Sequence, residues 1–503
     1  MHKALHNLNL LSEASKLPIL RLVAKMGALA RRMRPVLALA LVVFAFGTVV
    51  RSLTPISFVM GDFRAFHCAA RVALEHQNIY ATAPMAACES RPQPKPLLTL
   101  NHGTVLPAPI PGYLATAFFP LGALPFPVAA VLALLLLVAA VAAATWIFQH
   151  LGVSDWPTFL IASSMLIFGA CLPFGELPPF ALLGIALAAW GARDDSAWKV
   201  GLGFALTMIE PQIGIAVGLL LAIVSRRFIV PLAAVSVALG VMSLIAVGVP
   251  GNIEYVRTVL PEHVYSELPS VMQFSLSWVL WAVHVSDATA LLFGRLSYVA
   301  MLLLVALVAT TRYAREHRAH AVLIAPALAI VGGPFLHFDH IALAVPAALY
   351  ACNMYARRYS IVLAALIALA LPMLLIFSRP GLLYVAPLIA GLLVVPYTSQ
   401  RIVPLRAAAV VVCIISAIVL TVLVTGVGSV VLADTHTVSN ALSQASWGHY
   451  VRQKFVMESW SVWLIKVPTW FGILVTAGAS LLATGLGRER LALRSVQEQL
   501  SLQ

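Results

Sequence analysis

Long apolar runs separated by short polar segments dominate the pattern of this chain. Nine of these runs consist mostly of Leu, Ala, Val and Ile, and they cover 35–50, 127–149, 213–224, 228–249, 297–310, 361–377, 381–396, 405–425 and 467–484. Several approach the roughly 20 residues that a helix needs to cross a bilayer. The positions do not alternate as they do in a membrane barrel, so helices must satisfy the backbone in lipid. We therefore predict an all-α, polytopic helical integral membrane protein with about 12 spans.

The composition agrees with this prediction and excludes a water-soluble protein. Apolar residues make up 61% of the 503 residues and charged residues only 10%. The net charge of +13 could indicate nucleic-acid binding, but the basic residues cluster at the ends of predicted spans, at 31–34, 226–227, 312–318, 357–358 and 488–494. All these clusters fall on one side if both termini are cytoplasmic, as the positive-inside rule expects. The predicted partner is therefore the lipid bilayer, and no nucleic acid is expected.

This orientation divides the chain into four parts. They are a cytoplasmic segment 1–34, a transmembrane module 35–350 with a first external loop 52–111, C-terminal helices 351–486 with an external loop 427–462, and a cytoplasmic tail 487–503. A second external loop is expected from about 250 to 288. The short, proline-flanked segment 112–126 is predicted not to cross the membrane. The run 200–225 either spans or re-enters, because Glu210-Pro211 interrupts it.

The first external loop has two halves with different patterns. Apolar and small residues recur at helical spacing over 62–76, which predicts a juxtamembrane helix. The stretch from Pro84 to Pro111 is rich in proline, which predicts irregular structure. Cys68 and Cys88 both lie in this loop. They either form a disulfide, which an extracytoplasmic compartment permits, or serve as small apolar residues.

Polar groups able to support chemistry collect on the predicted outer face. They are Asp62, Arg64, Arg71, Tyr113, Glu176, Gln273, His337, Asp339 and His340. A carboxylate, cations and hydrogen-bonding groups are thus predicted on one side of a hydrophobic bundle. This arrangement suits a substrate with a lipid tail and a polar head. The sequence contains no P-loop, no GxGxxG and no CxxC zinc spacing. We therefore expect no cofactor and no metal.

Several of these residues, and Glu210, also have a structural interpretation. His337 and His340 either act on substrate or are interfacial histidines hydrogen-bonded to water. Asp62 is either a general base or the N-cap of the helix that follows it. Arg64 and Arg71 either bind phosphate or extend toward lipid headgroups. Glu176 either contacts substrate or forms a hydrogen bond between helices while protonated. Glu210 is assigned to a structural or cytoplasmic-side position.

Several of these segments together resemble a known family of membrane enzymes. They are Asp62-Phe63 with Ala69-Ala70 and Tyr80, then PIPGYLATAFFPLGALPF (109–126), FGELPPFALLGIAL (174–187), MIEPQ (208–212), QFSLSWVL (273–280) and GGPFLHFDHIALAVP (332–346). This set is similar to the GT-C glycosyltransferases that use polyprenyl-phosphate sugars, and most similar to glycosyltransferase family 87, which contains bacterial α-mannosyltransferases. Glu176 replaces the family's usual glutamine, and Glu210 replaces its usual lysine.

The resemblance implies an activity and roles for individual residues. It implies an inverting transfer of mannose or another hexose from a polyprenyl-phosphate donor to a glycan or glycolipid acceptor, at the periplasmic or exterior face of a bacterial inner membrane. Asp62 would take the proton of the acceptor hydroxyl. His340 and His337, with Arg64 or Arg71, would stabilise the leaving phosphate, and Asp339 would orient a histidine. The alternative is a secondary transporter or a lipid flippase, which broken helices and intramembrane acids also suit.

Overall fold

The chain is an all-α membrane protein. The computed structural model describes residues 18–52, 60–90, 105–355, 360–372, 442–454, 456 and 460–484. In this part of the chain the regular elements are helices, and β-pairing is limited to two isolated bridges, Ala81 with Leu442 and Gln273 with His337. Five helical segments are long and apolar enough to cross a bilayer: Phe126–His150, Trp156–Phe174, Arg226–Glu267, Asp287–Ala309 and Val462–Ala483. The predicted spans 381–396 and 405–425 lie outside the described residues.

The helices are numbered here in chain order over the described residues. They are α1 Pro18–Ser52, α2 Gly61–Leu74, α3 Thr82–Glu89, α4 Gly112–Ala117, α5 Phe119–Gly122, α6 Phe126–His150, α7 Trp156–Ser163, α8 Leu172–Phe174, α9 Pro178–Asp194, α10 Ala197–Thr207, α11 Pro211–Val224, α12 Ile229–Glu254, α13 Leu260–Glu267, α14 Leu276–Ala282, α15 Asp287–Ala309, α16 Arg312–Glu316, α17 Arg318–Gly332, α18 Val345–Tyr355, α19 Ser360–Ala368, α20 Ser443–Lys454 and α21 Trp460–Ala483. Two π-helical turns, Ser164–Cys171 and Tyr255–Val259, and two 3₁₀ segments, Arg226–Phe228 and Phe338–Ala344, continue neighbouring helices.

One end of the bundle carries a set of ion pairs between helix termini, and we call it the basic end. Arg34 of α1 contacts Asp155 at 2.9 Å. Arg227 and Arg318 both donate to Asp195, the second at 3.0 Å. These contacts bring together basic residues that lie before α12, at the start of α17 and within α1. Three of the basic clusters predicted to share one side, 31–34, 226–227 and 312–318, are therefore represented at this end. The clusters at 357–358 and 488–494 lie outside the described residues.

The apolar run over 197–224 is a hairpin that enters from the basic end and returns to it. Asp195 precedes α10, and its ion-pair partner Arg227 follows α11, so both ends of the hairpin are at the basic end. Gly203 lies so close to α9 that an added Cβ would be 2.4 Å from the backbone nitrogen of Ala188. The segment is therefore a helical hairpin and not a single span, and its tip carries Glu210 immediately before Pro211.

The front of the first external loop forms α2, which confirms the helix predicted over 62–76. The proline-rich half differs from expectation, because α3 forms over Thr82–Glu89. Pro84 lies in the first turn of α3, where a backbone amide has no helical partner to lose. Cys68 of α2 and Cys88 of α3 form a disulfide. The two helices α4 and α5 are too short to cross, as predicted for 112–126.

The segment predicted to form a second external loop from about 250 begins with helical structure. Helical structure continues from α12 through the Tyr255–Val259 turn and α13 to Glu267, with one break at Gly248, where φ is 64°. Apolar residues over 228–249 gave way to polar ones, which favoured a loop, but a helix emerging from a bundle tolerates polar residues where it meets other protein. The extension places Glu267 opposite the 334–340 segment.

Candidate active site

The loop between α8 and α9 packs directly against the start of α2. The backbone N–H of Met60 donates to the carbonyl of Pro173 at 2.6 Å. Gly175 adopts φ 77°, and a Cβ added there would be 2.5 Å from the Cβ of Phe63. Only glycine fits both this backbone conformation and this approach. The loop therefore brings Glu176 next to Asp62, and their carboxyl groups share a hydrogen bond.

Asp62 is not the N-cap of its helix. Met60 occupies that position, and Asp62 lies in the first turn of α2. The side chain instead forms a hydrogen bond with Glu176, and the charges of Asp339 and Glu267 act on its carboxyl group. The capping interpretation of Asp62 is therefore wrong, and its half-buried carboxyl faces a group of other ionisable side chains.

Burial sets the protonation of the two hydrogen-bonded carboxyl groups. Loss of hydration raises the pKa of Asp62 from 3.8 to about 6, although the hydrogen bond with Glu176 acts in the opposite direction. Burial, followed by the charge of Asp62, raises the pKa of Glu176 well above its usual value. At neutral pH the proton therefore stays on Glu176, and Asp62 is largely ionised.

The 3₁₀ segment Phe338–Ala344 brings Asp339 and His340 to the same place. Both side chains are buried, and Nε2 of His340 lies 2.9 Å from a carboxylate oxygen of Glu210. Glu210 was assigned to a structural or cytoplasmic-side position, and its contact with His340 is a structural one that ties the hairpin to the 3₁₀ segment. The hairpin places it at the end of α10 and α11 that faces away from the basic end, toward the group around Asp62. Thus acids of two separate segments, Glu210 and Asp339, converge on one histidine.

His340 is a cation at neutral pH. Burial lowers its pKa, but the charges of Asp339 and Glu210 outweigh burial and raise it to about 9. The backbone N–H of His337 points at Nδ1 at 3.2 Å, a contact that favours a neutral ring. However, Oδ1 of Asp339 is buried without a hydrogen bond and lies 3.6 Å from the same Nδ1. At 3.6 Å this contact is electrostatic and not a hydrogen bond, and the two neighbouring carboxylates favour the charged ring.

A second histidine joins this group to the C-terminal part of the chain. Nε2 of His337 lies 3.2 Å from one carboxylate oxygen of Glu267, and the indole N–H of Trp447 donates to the other. Glu267 was not among the residues selected from the sequence. It lies four residues after His263, so both project from one face of the same helical segment. That spacing was the available signal.

Gln273 and Tyr113 support the site from behind. The side-chain oxygen of Gln273 accepts a hydrogen bond from the N–H of Leu336 at 3.0 Å, and its backbone pairs with His337. The hydroxyl of Tyr113 donates to the carbonyl of Met208 at 2.6 Å, two residues before Glu210. Both were selected as substrate-binding residues. The structure uses each of them to hold a loop that carries a histidine or an acid.

A buried lysine that sequence reasoning missed stands behind Gln273. The side-chain nitrogen of Lys466 is fully buried, donates to the carbonyl of Gln273 and lies 3.4 Å from the centre of the Trp278 ring. This lysine is within α21, in the C-terminal third of the chain, which none of the quoted motifs reaches. It fixes the strand-like segment that pairs with His337.

The two arginines predicted to bind phosphate lie elsewhere. Arg64 is buried against the Phe126 ring, 5.8 Å from its centre, and interacts electrostatically with Glu89. Arg71 contacts Glu75 at 3.6 Å near the protein surface. Positions two and nine residues after Asp62 point to the opposite face of an α-helix, which turns 100° per residue. Neither arginine is therefore brought to Asp62, and this part of the prediction needs correction.

The site group is therefore Asp62, Glu176, Glu210, Glu267, His337, Asp339 and His340. It combines an ionised carboxylate, a protonated carboxyl group and a histidine cation within one low-dielectric region. Such a region can remove a proton and stabilise developing charge. Among the described residues, one group has the spacing of a metal site, His67 with Cys68 and Cys88, but both sulfur atoms are joined in the disulfide.

Comparison with known proteins adds no relative. Neither a family model, nor a curated protein, nor a solved structure matches this chain. The resemblance to the GT-C glycosyltransferases therefore rests on the motifs quoted above and stays a prediction.

Proposed function

We propose that this protein is a membrane glycosyltransferase of the GT-C type with about 12 spans. In this proposal it moves a hexose, with mannose as the first candidate, from a polyprenyl phosphate to a glycan or glycolipid acceptor outside the cytoplasm. The transfer inverts the anomeric carbon, because one displacement joins the acceptor oxygen to the sugar as the phosphate leaves. Asp62 takes the proton of the acceptor hydroxyl.

The state of Asp62 is the observation that carries the proposal. A sugar hydroxyl is a weak nucleophile at neutral pH, and a base works best when its pKa lies near the working pH. The carboxyl of Asp62 has a pKa of about 6, is not used as a helix cap and faces other ionisable groups. These are the properties that a general base needs, and a purely structural aspartate needs none of them.

His337 and His340 are the groups proposed to meet the phosphate of the donor. The leaving phosphate gains negative charge as the glycosidic bond breaks, and a nearby cation lowers that barrier. His337 is the more accessible of the two, with 19% of its side chain exposed against 8% for His340. Because Arg64 and Arg71 are turned away, the proposal assigns this role to the histidines alone.

The proposed orientation follows from the basic end. Positively charged loops remain in the cytoplasm, so the basic end is assigned to that side. The helix α17 has 15 residues between Arg318 at the basic end and Gly332 before the site, which corresponds to about 20 Å. The site group is therefore assigned to the opposite side, the periplasm or exterior of a bacterial inner membrane.

The test is sugar transfer by the purified protein in liposomes. A synthetic short-chain polyprenyl-phosphate mannose is offered with a glycolipid acceptor, and a nucleotide sugar serves as the control donor. The proposal expects product from the lipid-linked donor alone. Product from the nucleotide sugar, or no product from any polyprenyl-phosphate hexose, contradicts it.

The hairpin of α10 and α11 favours a second candidate, a secondary transporter or lipid flippase. A broken helix with an acid at its tip is a common way to bind a transported solute or ion, and Glu210 occupies such a tip. The same liposomes distinguish the two functions. Movement of a labelled lipid or solute across the membrane without glycosidic product supports the transporter, whereas product formation supports the enzyme.

A further inference from the structure

We infer that Glu176 is a positioning residue, which donates its carboxyl hydrogen to the carboxylate of Asp62 and so holds the base ionised and aimed. The inference rests on the proposed function, because it gives Glu176 a task in the same reaction. It also changes the expected role of Glu176 from a contact with substrate to a contact with the base.

The backbone makes this contact a built feature. The Met60–Pro173 hydrogen bond ties the residue before α2 to the loop before α9. Gly175 allows the loop to approach Phe63 at van der Waals distance, and Glu176 is the next residue. The N–H of Glu176 donates to the carbonyl of Cys171 at 2.9 Å, which fixes the direction in which its side chain leaves the loop.

The charges around the pair explain why it holds a single proton. Glu176 faces Asp62, Asp339 and Glu210, and Asp62 faces Asp339, Glu267 and His337. Three further acids surround two adjacent carboxyl groups, so removal of both protons would place like charges side by side in a buried region. Among the described residues, the thiol of Cys171 is a further titratable group that interacts with Glu176. The shared proton reduces this repulsion.

A donated hydrogen bond also counteracts the effect of burial on the base. Burial favours the neutral form of Asp62, while a hydrogen bond to its carboxylate favours the charged form. Glutamine can donate the same bond through its amide, whereas alanine cannot. The two substitutions Glu176→Gln and Glu176→Ala therefore separate the donor role from any need for a charge at this position.

The pH dependence of kcat/KM for transfer tests the donor role. In the wild type, the rate rises through about pH 6 as Asp62 ionises and falls again where Glu176 loses its proton. Glu176→Gln is expected to keep the rise near pH 6 and to lose the alkaline fall. Glu176→Ala is expected to lower the rate about tenfold or more and to shift the rise to higher pH. An unchanged profile in Glu176→Ala overturns the inference.

Infrared spectroscopy tests the proton itself without relying on transfer. The wild type at pH 7 is expected to show a carboxylic acid C=O band that Glu176→Gln removes and Asp62→Asn shifts, because the acceptor has changed. Glu75→Gln, on the exposed part of the same helical region, is the control and should leave the band unchanged. Absence of the band overturns the inference whatever the transfer assay shows. A band with the expected behaviour but no sugar transfer counts against the proposed function instead.

Discussion

Replacement of Asp62 by asparagine is expected to stabilise the folded protein while it slows transfer by about 10²–10⁴-fold. The folded-state pKa of about 6 exceeds the ordinary value of 3.8, so the native state binds more protons between these two pH values. The free energy of unfolding therefore falls as pH rises through this window. The pKa difference corresponds to a cost of about 3 kcal/mol once the pH is well above 6. Asparagine carries no charge to bury and removes that cost.

The size of the effect depends on pH in a way that can be calculated. With the same two pKa values, the gain is about 3 kcal/mol at pH 8 and about 1 kcal/mol at pH 4.5. For a chain of 503 residues, the entropy of unfolding is about 1 kcal/mol per degree. The gain at pH 8 therefore corresponds to a rise of about 3 °C in the unfolding temperature. Thermal unfolding in detergent, followed by intrinsic tryptophan fluorescence, measures it.

Glu75→Gln provides the matched control for this measurement. Glu75 lies directly after α2, and 38% of its side chain is exposed, so its replacement should change stability by less than about 0.5 kcal/mol at both pH values. The reasoning is refuted if Asp62→Asn lowers the unfolding temperature at pH 8, or if its effect is equal at the two pH values. Either result would mean that burial of the ionised Asp62 side chain does not lower the free energy of unfolding.

Three further substitutions test other parts of the structure by thermal unfolding. Gly175→Ala should destabilise by about 2–4 kcal/mol, because it forces a side chain into φ 77° and against Phe63; an unchanged unfolding temperature contradicts this packing. Cys88→Ser should cost about 2–4 kcal/mol through loss of the disulfide, and addition of a reductant to the wild type should reproduce the loss. Asp195→Asn should cost less than about 1 kcal/mol, because its ion pairs with Arg227 and Arg318 are exposed. A larger loss would show that these ion pairs contribute more to stability than exposed pairs do, and any change in transfer would show that the basic end affects the candidate site.

The sequence predicted the fold best where a local pattern determines it. Helical periodicity located α2, and the apolar runs located α6, α12 and α15. The prolines misled the reading of α3, because a proline in a first turn does not end a helix. The hairpin of α10 and α11 could not be distinguished from a single span. The apolar run over 200–225 is long enough to cross a bilayer, and its pattern does not show where the chain turns back.

The candidate site shows where residue-by-residue reasoning fails. Asp62, Glu176, Asp339 and the two histidines were predicted to share one face, and the structure brings them together. Arg64 was included although helix geometry places it away from Asp62. The contact of Glu210 with His340 was not predicted, because it depends on where the hairpin of α10 and α11 turns. Lys466 donates a hydrogen bond to Gln273, which lies almost 200 residues earlier in the chain, and no local pattern indicates such a contact.

Sugar transfer by Asp62→Asn, measured with saturating lipid-linked donor, tests the central claim most directly. Loss of a general base lowers the rate by about 10²–10⁴-fold, and donor binding, followed by equilibrium dialysis, should be unchanged because asparagine keeps the shape of the side chain. The account predicts this combination of slow turnover and intact binding. Turnover at the wild-type rate in Asp62→Asn would contradict it.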